Sequence, residues 1–410
     1  MRRDALAALG LLVLGWALTL WVAPWSDERV NDLFVYRVFA EPVLAGGLPY
    51  RDVFFEYPPL AAPVIALPGV TGTGAEAFRL SFAAWMLLAA GALVLLCGAL
   101  AARTGGDHRR ALFAAALAPV ACGALLRTHF DLVPVVLTLA ALWLVCLDKP
   151  RSGLAVLGVG VLVKGFPLVA VPVVLAWLLG RGRRREALEG AAACIAVLLA
   201  GAVAALAVSP DGAADALRYH LERPVQLESV AAMLLLALDG AGLGEAVSVS
   251  SHRSDGLLHP LDGAVAWLGV LVLVVVVTWI AALAARGDAA GDERRRLVLA
   301  ALGAVTAFAV LGKVLSPQFV IWVLPLGALA FAWRMHALAL AVLAALVLTQ
   351  VEFPAHYFDV VAREPLALAL VALRDLVLLA VLGLSLRALH GQRHEQLLDA
   401  RRTALAVRLD

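Results

Sequence analysis

The chain has 410 residues, of which 63% are hydrophobic and 16% charged, with a formal net charge of +2. Soluble domains run nearer half apolar and about a quarter charged, so this composition excludes a soluble enzyme, a disordered regulator and a secreted disulfide scaffold. The small net charge also argues against a nucleic-acid partner, which would call for a dense basic surface. A mean hydropathy of +0.91 points to an all-α, polytopic integral membrane protein.

Apolar runs between charged breaks predict about twelve transmembrane helices. They lie near residues 5–24, 78–102, 111–127, 131–147, 153–164, 166–180, 188–208, 263–285, 297–312, 318–333, 337–350 and 365–389. The first run follows a basic start, lacks a small-residue cleavage site and is long enough to span, so it reads as a retained helix. The stretch 153–180 is too long for one helix and too short for two. Lys164, Gly165 and Pro167 interrupt it, which suits a broken or re-entrant hairpin. Cys97, Cys122, Cys146 and Cys194 each sit singly in apolar runs and read as small buried hydrophobes.

With both termini in the cytoplasm, basic residues outnumber acidic ones in the short connections and the reverse holds opposite, as the positive-inside rule requires. That orientation makes residues 1–389 a single transmembrane domain with three long extracytoplasmic loops, 25–77, 209–262 and 351–364. Residues 390–410 form a charged cytoplasmic tail, as a short helix or a loose end. All five tyrosines fall in the long loops, so function is expected on the extracytoplasmic face of a plasma membrane. The preference for arginine over lysine, with only three lysines, suggests a high-GC bacterium of the actinomycete kind.

The first long loop carries the densest polar pattern. Asn31 is placed to cap a helix over 32–44 that lies at the interface. Asp32 and Tyr36 share one face of it, and Arg37 and Glu41 are spaced to pair. Gly46-Gly47 ends the helix, Pro49-Tyr50 starts a turn, and Glu56-Tyr57-Pro58-Pro59 leads back into an apolar run. Asp32 reads either as a first-turn acid that complements the helix dipole or as a general base at the membrane surface. Asp52 and Glu56 lie close to the same span end. In the second long loop, 229–239 is apolar enough to rest on the membrane.

Asp32-x-x-x-Tyr36, Leu44-x-Gly46-Gly47-x-Pro49-Tyr50-x-Asp52 and Glu56-Tyr57-Pro58-Pro59-Leu60 together resemble the first loop of glycosyltransferase family 87. Arg127-Thr-His-Phe-Asp131, Gly160-Val-Leu-Val-Lys164-Gly-Phe-Pro167, Arg223-Pro-Val-Gln-Leu-Glu-Ser229 and Lys313-Val-Leu-Ser-Pro-Gln318 extend the likeness over roughly residues 27–330. The resemblance implies a GT-C type membrane enzyme. Such an enzyme moves a sugar, in many members mannose, from a polyprenyl-phosphate carrier to an extracytoplasmic lipid or glycolipid hydroxyl with inversion. It implies Asp32 as the catalytic base, with Glu56, Asp131 and Asp52 as second choices.

A departing lipid phosphate needs fixed positive charge. Lys164 and Lys313, cations at or within apolar runs, are the first candidates; Arg223 and Arg127 follow. Tyr36, Tyr57, His129, Gln226, Glu228 and Gln318 are the expected sugar or acceptor contacts. His129 has no second histidine at ligand spacing, so no metal is expected. No cofactor is expected either, the lipid-linked sugar being a co-substrate. The rival reading is a secondary transporter or flippase, which a broken hairpin and intramembrane lysines also fit. Against it, no internal repeat is present and the polar residues gather near span ends.

Overall fold

The computed structural model describes residues 2–286 and 293–406. The connection between the runs expected at 263–285 and 297–312, and the tail at 390–410, therefore lie in part, at 287–292 and 407–410, outside the described residues.

Helices form where the apolar runs are, and they break where Pro or Gly removes a donor or admits a left-handed turn. After α1 (Arg2–Trp21), a turn leads to α2 (Leu33–Leu44). That helix ends where Gly46 takes a φ of 92°, and short α3 (Ala61–Ala66) precedes the long α4 (Ala75–Arg103). The run predicted as one span at 111–127 is instead three pieces, α5 (His108–Ala116), α6 (Ala118–Cys122) and α7 (Leu125–Thr128). Gly123 breaks it, at φ 55°. A Cβ there would stand 2.0 Å from Oε1 of Gln350, so only glycine fits the crossing.

α8 (Leu132–Cys146) and α9 (Pro150–Val163) follow. α9 stops at Lys164, which is extended at φ −157° and ψ 130°. After a 3-10 turn at Phe166–Val169, α10 (Ala170–Leu179) resumes, giving the broken hairpin expected for 153–180. The carbonyl of Leu162, freed by the break, accepts the Leu60 N–H at 2.9 Å. That bond satisfies a helix-end group and fixes the Tyr57–Leu60 segment beside Lys164.

α11 (Arg184–Val208) packs on α9 through small residues. A Cβ on Gly190 would lie 2.3 Å from Leu154, and one on Gly158 3.2 Å from Val197, the close approach that stands in for a hydrophobic drive inside lipid. The second long loop holds α12 (Pro210–Glu222), β1 (Val225–Gln226), α13 (Val230–Gly240), β2 (Val247–Ser251) and β3 (Ser254–Leu258). The strands make an antiparallel sheet in the order β1-β3-β2, with Val225 opposite Leu257 and Ser251 opposite Ser254. This sheet is a departure from the all-α expectation. α14 (Asp262–Ala285), α15 (Glu293–Leu311), α16 (Val320–Ala332), α17 (His336–Glu352), α18 (Tyr357–Val361) and α19 (Pro365–Ala406) complete the chain. α19 continues through residues 390–406.

α15 and α16 are buried on nearly all sides and form the centre of the bundle. The outward faces of α11 (Leu188, Ile195, Leu199) and α14 (Trp267, Leu271, Val275) are apolar and exposed, as the wall of a membrane protein must be. Among the described residues five helices are long and apolar enough to cross a bilayer: α1, α4, α11, α14 and Pro365–Gly391 of α19. Runs 131–147, 153–164, 166–180, 318–333 and 337–350 form helices of 10–17 residues, short of the roughly 20 a straight crossing needs. The protein is thus multi-pass and largely helical.

One ionic cluster sits inside this core. Arg374 of α19 is 1% exposed, and it meets Glu352 of α17 at 3.0 Å and its neighbour Asp375 at 2.9 Å. It also donates to the carbonyl of Glu228. Two buried carboxyl groups and one buried carbonyl thus depend on one guanidinium, and removing one partner of a buried pair is costly. Arg374→Met is expected to destabilise the fold by about 3–5 kcal/mol, read as a lowered Tm in detergent.

Candidate active site

The three long loops converge at one end of the bundle, and two adjoining cavities lie between them. The smaller, of about 100 Å³, is polar and is lined by Asn31, Asp32, His129, Gln226, Glu228, His252, Arg253 and Tyr357 among others. The larger, of about 420 Å³, is lined by Lys164, Phe166, His220, Phe308, Lys313, Phe319 and Trp322. Glu56, Tyr57, Tyr219, Arg223, Ser316 and Gln318 face both, so they form the threshold between the chambers.

Asp32 precedes the first turn of α2, yet its side chain makes no cap bond. Asn31 supplies one instead, its Oδ1 accepting the Leu33 N–H at 2.9 Å. The Asp32 carboxylate is thereby released from helix duty and turns to the small chamber. Its Oδ2 accepts from the Tyr36 hydroxyl at 3.0 Å, the contact that the four-residue spacing predicts. His129 Nε2 stands 3.6 Å from the same oxygen. The expected Arg37–Glu41 pair is present at 3.8 Å.

Arg127 and Asp52 lie outside both chambers. Arg127 is 2% exposed and holds Glu28 at 2.5 Å and the Trp25 carbonyl at 2.9 Å. Its effect is to pin the turn after α1, four residues before Asp32, onto α7. Asp52 pairs with Arg51 at 2.9 Å and accepts the Leu48 N–H in an exposed turn.

Lys164 is committed to Asp131, 2.7 Å away, within a box made by Phe130, Phe319 and Trp322. Asp131 is fully buried and also accepts from Trp322 Nε1 at 2.6 Å. Lys313 donates to the carbonyls of Leu221 and Arg223 at 2.8 and 2.6 Å, capping the end of α12 in the manner of a C-terminal cation. Arg223 is different. Its Nε donates to Ser254 Oγ at 3.2 Å, and among the described residues it makes no ion pair. It faces both chambers, so its charge is the one least spent on the protein itself.

Glu56 is 6% exposed and paired with Arg253 at 2.9 Å. Burial pushes its carboxyl above the ordinary range, against the pull of Arg253. Burial also holds His220 below its usual value, while Nε2 of that ring lies 2.8 Å from the Glu56 carbonyl. Burial, with Glu56 nearby, pushes the Tyr219 phenol up to about 12. Glu228 is held well above the carboxylate range by burial and by Glu352 beside it, and Gln226 Nε2 donates to it at 2.8 Å. Tyr57 lies in an aromatic cluster with Tyr36, Phe39 and Phe130. Gln318 accepts from the hydroxyl of Ser316.

Sequence reasoning passed over Tyr219, His252, Arg253 and Ser254. They lie in the second loop, far in sequence from Asp32, and the hairpin that delivers the last three had no alternating pattern strong enough to mark it.

Lys164→Met leaves Asp131 buried with Trp322 as its remaining donor, so it is expected to cost about 3–5 kcal/mol. Lys164→Met combined with Asp131→Leu should recover most of that loss, and Tm values of the two single variants and the double variant check it.

No curated protein matches the chain. Among solved structures it is similar to the Archaeoglobus fulgidus oligosaccharyltransferase in its apo form, at 12% identity and a TM-score of 0.43, over 93% of this chain and 56% of that one. It is likewise similar to that enzyme tethered to an acceptor peptide, at 14% identity and a TM-score of 0.41, over 94% and 55%. The chain thus spans about half the length of these proteins. The family comparison covers Glu56, Asp131, Lys164, Arg223 and Lys313: the description of glycosyltransferase family 87 matches residues 54–317, and the chain belongs to that family.

Proposed function

We propose that the protein is an inverting membrane hexosyltransferase, an α-mannosyltransferase by the family resemblance. It takes mannose from a polyprenyl-phosphate carrier and passes it to the hydroxyl of a lipid or glycolipid acceptor of the cell envelope. The observation that carries this reading is the Asp32 carboxylate, relieved of capping by Asn31 and facing a polar chamber that adjoins an aromatic one.

On this reading the acceptor hydroxyl enters the small chamber and Asp32 takes its proton as the oxygen attacks the anomeric carbon. Tyr36 holds the carboxylate in place through the 3.0 Å bond to Oδ2, leaving Oδ1 for the proton. His129 Nε2 stands 3.6 Å from Oδ2, on the wall of the same chamber. The bond to the carrier breaks on the opposite face of the sugar, and the electron pair leaves with the phosphate. Arg223 at the threshold is the cation available to that growing charge, with the remaining proton of Lys313 beside it. The aromatic walls of the larger chamber suit the first isoprene units. Gln226, Glu228, Gln318 and Tyr57 line the route of the sugar and acceptor hydroxyls.

The reading places the chambers on the extracytoplasmic side of a bacterial plasma membrane, with both termini cytoplasmic and about twelve crossings, some of them broken. It invokes no cofactor and no metal.

The test is transfer by protein in lipid bilayers supplied with polyprenyl-phosphate mannose and a bacterial lipid extract. Label should pass to a new glycolipid with the wild type. Asp32→Asn should reduce the rate by about 10²–10⁴-fold, the usual worth of a general base, with carrier binding retained. Undiminished transfer by Asp32→Asn would remove the base. A wild type that moved carrier across the bilayer but transferred no carrier-linked sugar would instead be a flippase.

A further inference from the structure

The β2–β3 hairpin turns through two residues, His252 and Arg253, each at φ 52°. Hairpin turns of this kind need positive φ at both positions and select Asn-Gly or Asp-Gly. Only a few per cent of non-glycine residues adopt such a φ. A strained pair persists where its surroundings over-determine it, and here they do. Arg253 donates to buried Glu56 at 2.9 Å and lies over the Phe39 ring at 4.7 Å, which joins the turn to the first long loop. Tyr357 donates to Asp255 at 2.5 Å and Arg363 to Ser248 at 2.9 Å, which joins the hairpin to the third.

Held from both sides, the turn delivers His252 to the wall of the Asp32 chamber. Its ring lies 4.8 Å from that of Tyr219, and Nδ1 is 3.0 Å from Ser251 Oγ. A hydroxyl that donates to Nδ1 leaves the ring proton on Nε2, and among the described residues Nε2 has no protein partner. Ser254, on the far side of the turn, accepts from Arg223 Nε. Among the described residues the two Nη groups of Arg223 make no protein hydrogen bond. One turn therefore brings an imidazole to the wall of the small chamber and, through Ser254, orients a guanidinium at its threshold. The other cations nearby are spent: Arg253 on Glu56 and Lys164 on Asp131.

We propose that this hairpin turn is one half of the site for the carrier's phosphate, with His252 donating from Nε2 to a phosphate oxygen beside the Arg223 guanidinium that Ser254 orients. The inference rests on the donor class proposed above. An arginine fork and a further N–H donor lining the same chamber suit a tetrahedral oxyanion, and a sugar hydroxyl would not call for the unmatched charge. His252 thus acts as a binding residue in direct contact with the carrier, and Ser254 as a positioning residue.

The experiment measures binding of a short-chain polyprenyl phosphate, and of the matching uncharged polyprenol, to full-length protein in lipid nanodiscs. His252→Gly removes the ring and relieves the left-handed strain, so its Tm should be no lower than that of the wild type. Its affinity for the polyprenyl phosphate should fall on the order of tenfold, the worth of one hydrogen bond to a charged group, while polyprenol binding is unchanged. Ser254→Ala should shift the same measurement in the same direction by less. Equal affinity of His252→Gly and wild type for the phosphate overturns the inference alone. An equal loss for phosphate and polyprenol overturns it too, because the effect would then lie in the chamber wall. A wild type that binds no polyprenyl phosphate overturns the donor reading and this inference with it.

Discussion

Asp131 is fully buried, and its carboxylate persists there because Lys164 and Trp322 donate to it. A charge left without partners in such a place would cost several kcal/mol. The same constraint recurs wherever this largely apolar chain carries a buried acid or base. Arg127 is answered by Glu28, Glu56 by Arg253, and Glu352 and Asp375 by Arg374. Apart from the adjacent Arg374–Asp375 contact, each pair joins segments far apart in sequence or, for Arg374 and Glu352, different helices. The pairs act as ties that decide where the long loops come to rest.

Those ties explain why the residues of one site come from so many elements. Arg127 anchors the turn after α1, and four residues later Asp32 enters its chamber. The α9 break at Lys164 does two things: it lets the lysine reach Asp131, and it offers the Leu162 carbonyl to Leu60. Tyr57 and Glu56 are thereby set at the boundary of the two chambers. Glu56 then meets Arg253, and the hairpin is drawn in from the second loop.

The division into chambers carries a chemical logic. The small chamber is polar and holds an acid whose helix end is capped by another residue. The large one has aromatic walls, with cations that are mostly neutralised within the protein. On the proposed reading, an aromatic space with one uncommitted guanidinium at its entrance suits a lipid phosphate better than a space full of free charge, because each unpaired cation would have to be desolvated as the substrate enters. On the same reading, Lys164 shapes this space and Arg223 meets the ligand, with Lys313 beside it.

Much of this was legible in the chain alone. Apolar run length marks membrane helices because each must cover about 30 Å of hydrocarbon, and a Lys-Gly-x-Pro interruption must break one. The Asp32–Tyr36 face and the Asn31 cap follow from helical spacing, which is local. Other features were decided by tertiary structure. The 111–127 run gave no sign that Gly123 would be crossed by Gln350, and the apolar count could not separate a full span from a buried helix of 10–17 residues. Residue type marked Lys164, Lys313 and Arg127 as cations worth noting, but whether a cation is free or spent depends on which carboxylate or carbonyl the fold brings to it. The β2–β3 hairpin, with its short and weakly patterned strands, owes its place to partners in the first and third loops. Local spacing determines what a residue can do; long-range pairing, driven by the cost of burying charge alone, decides what is left for it to do.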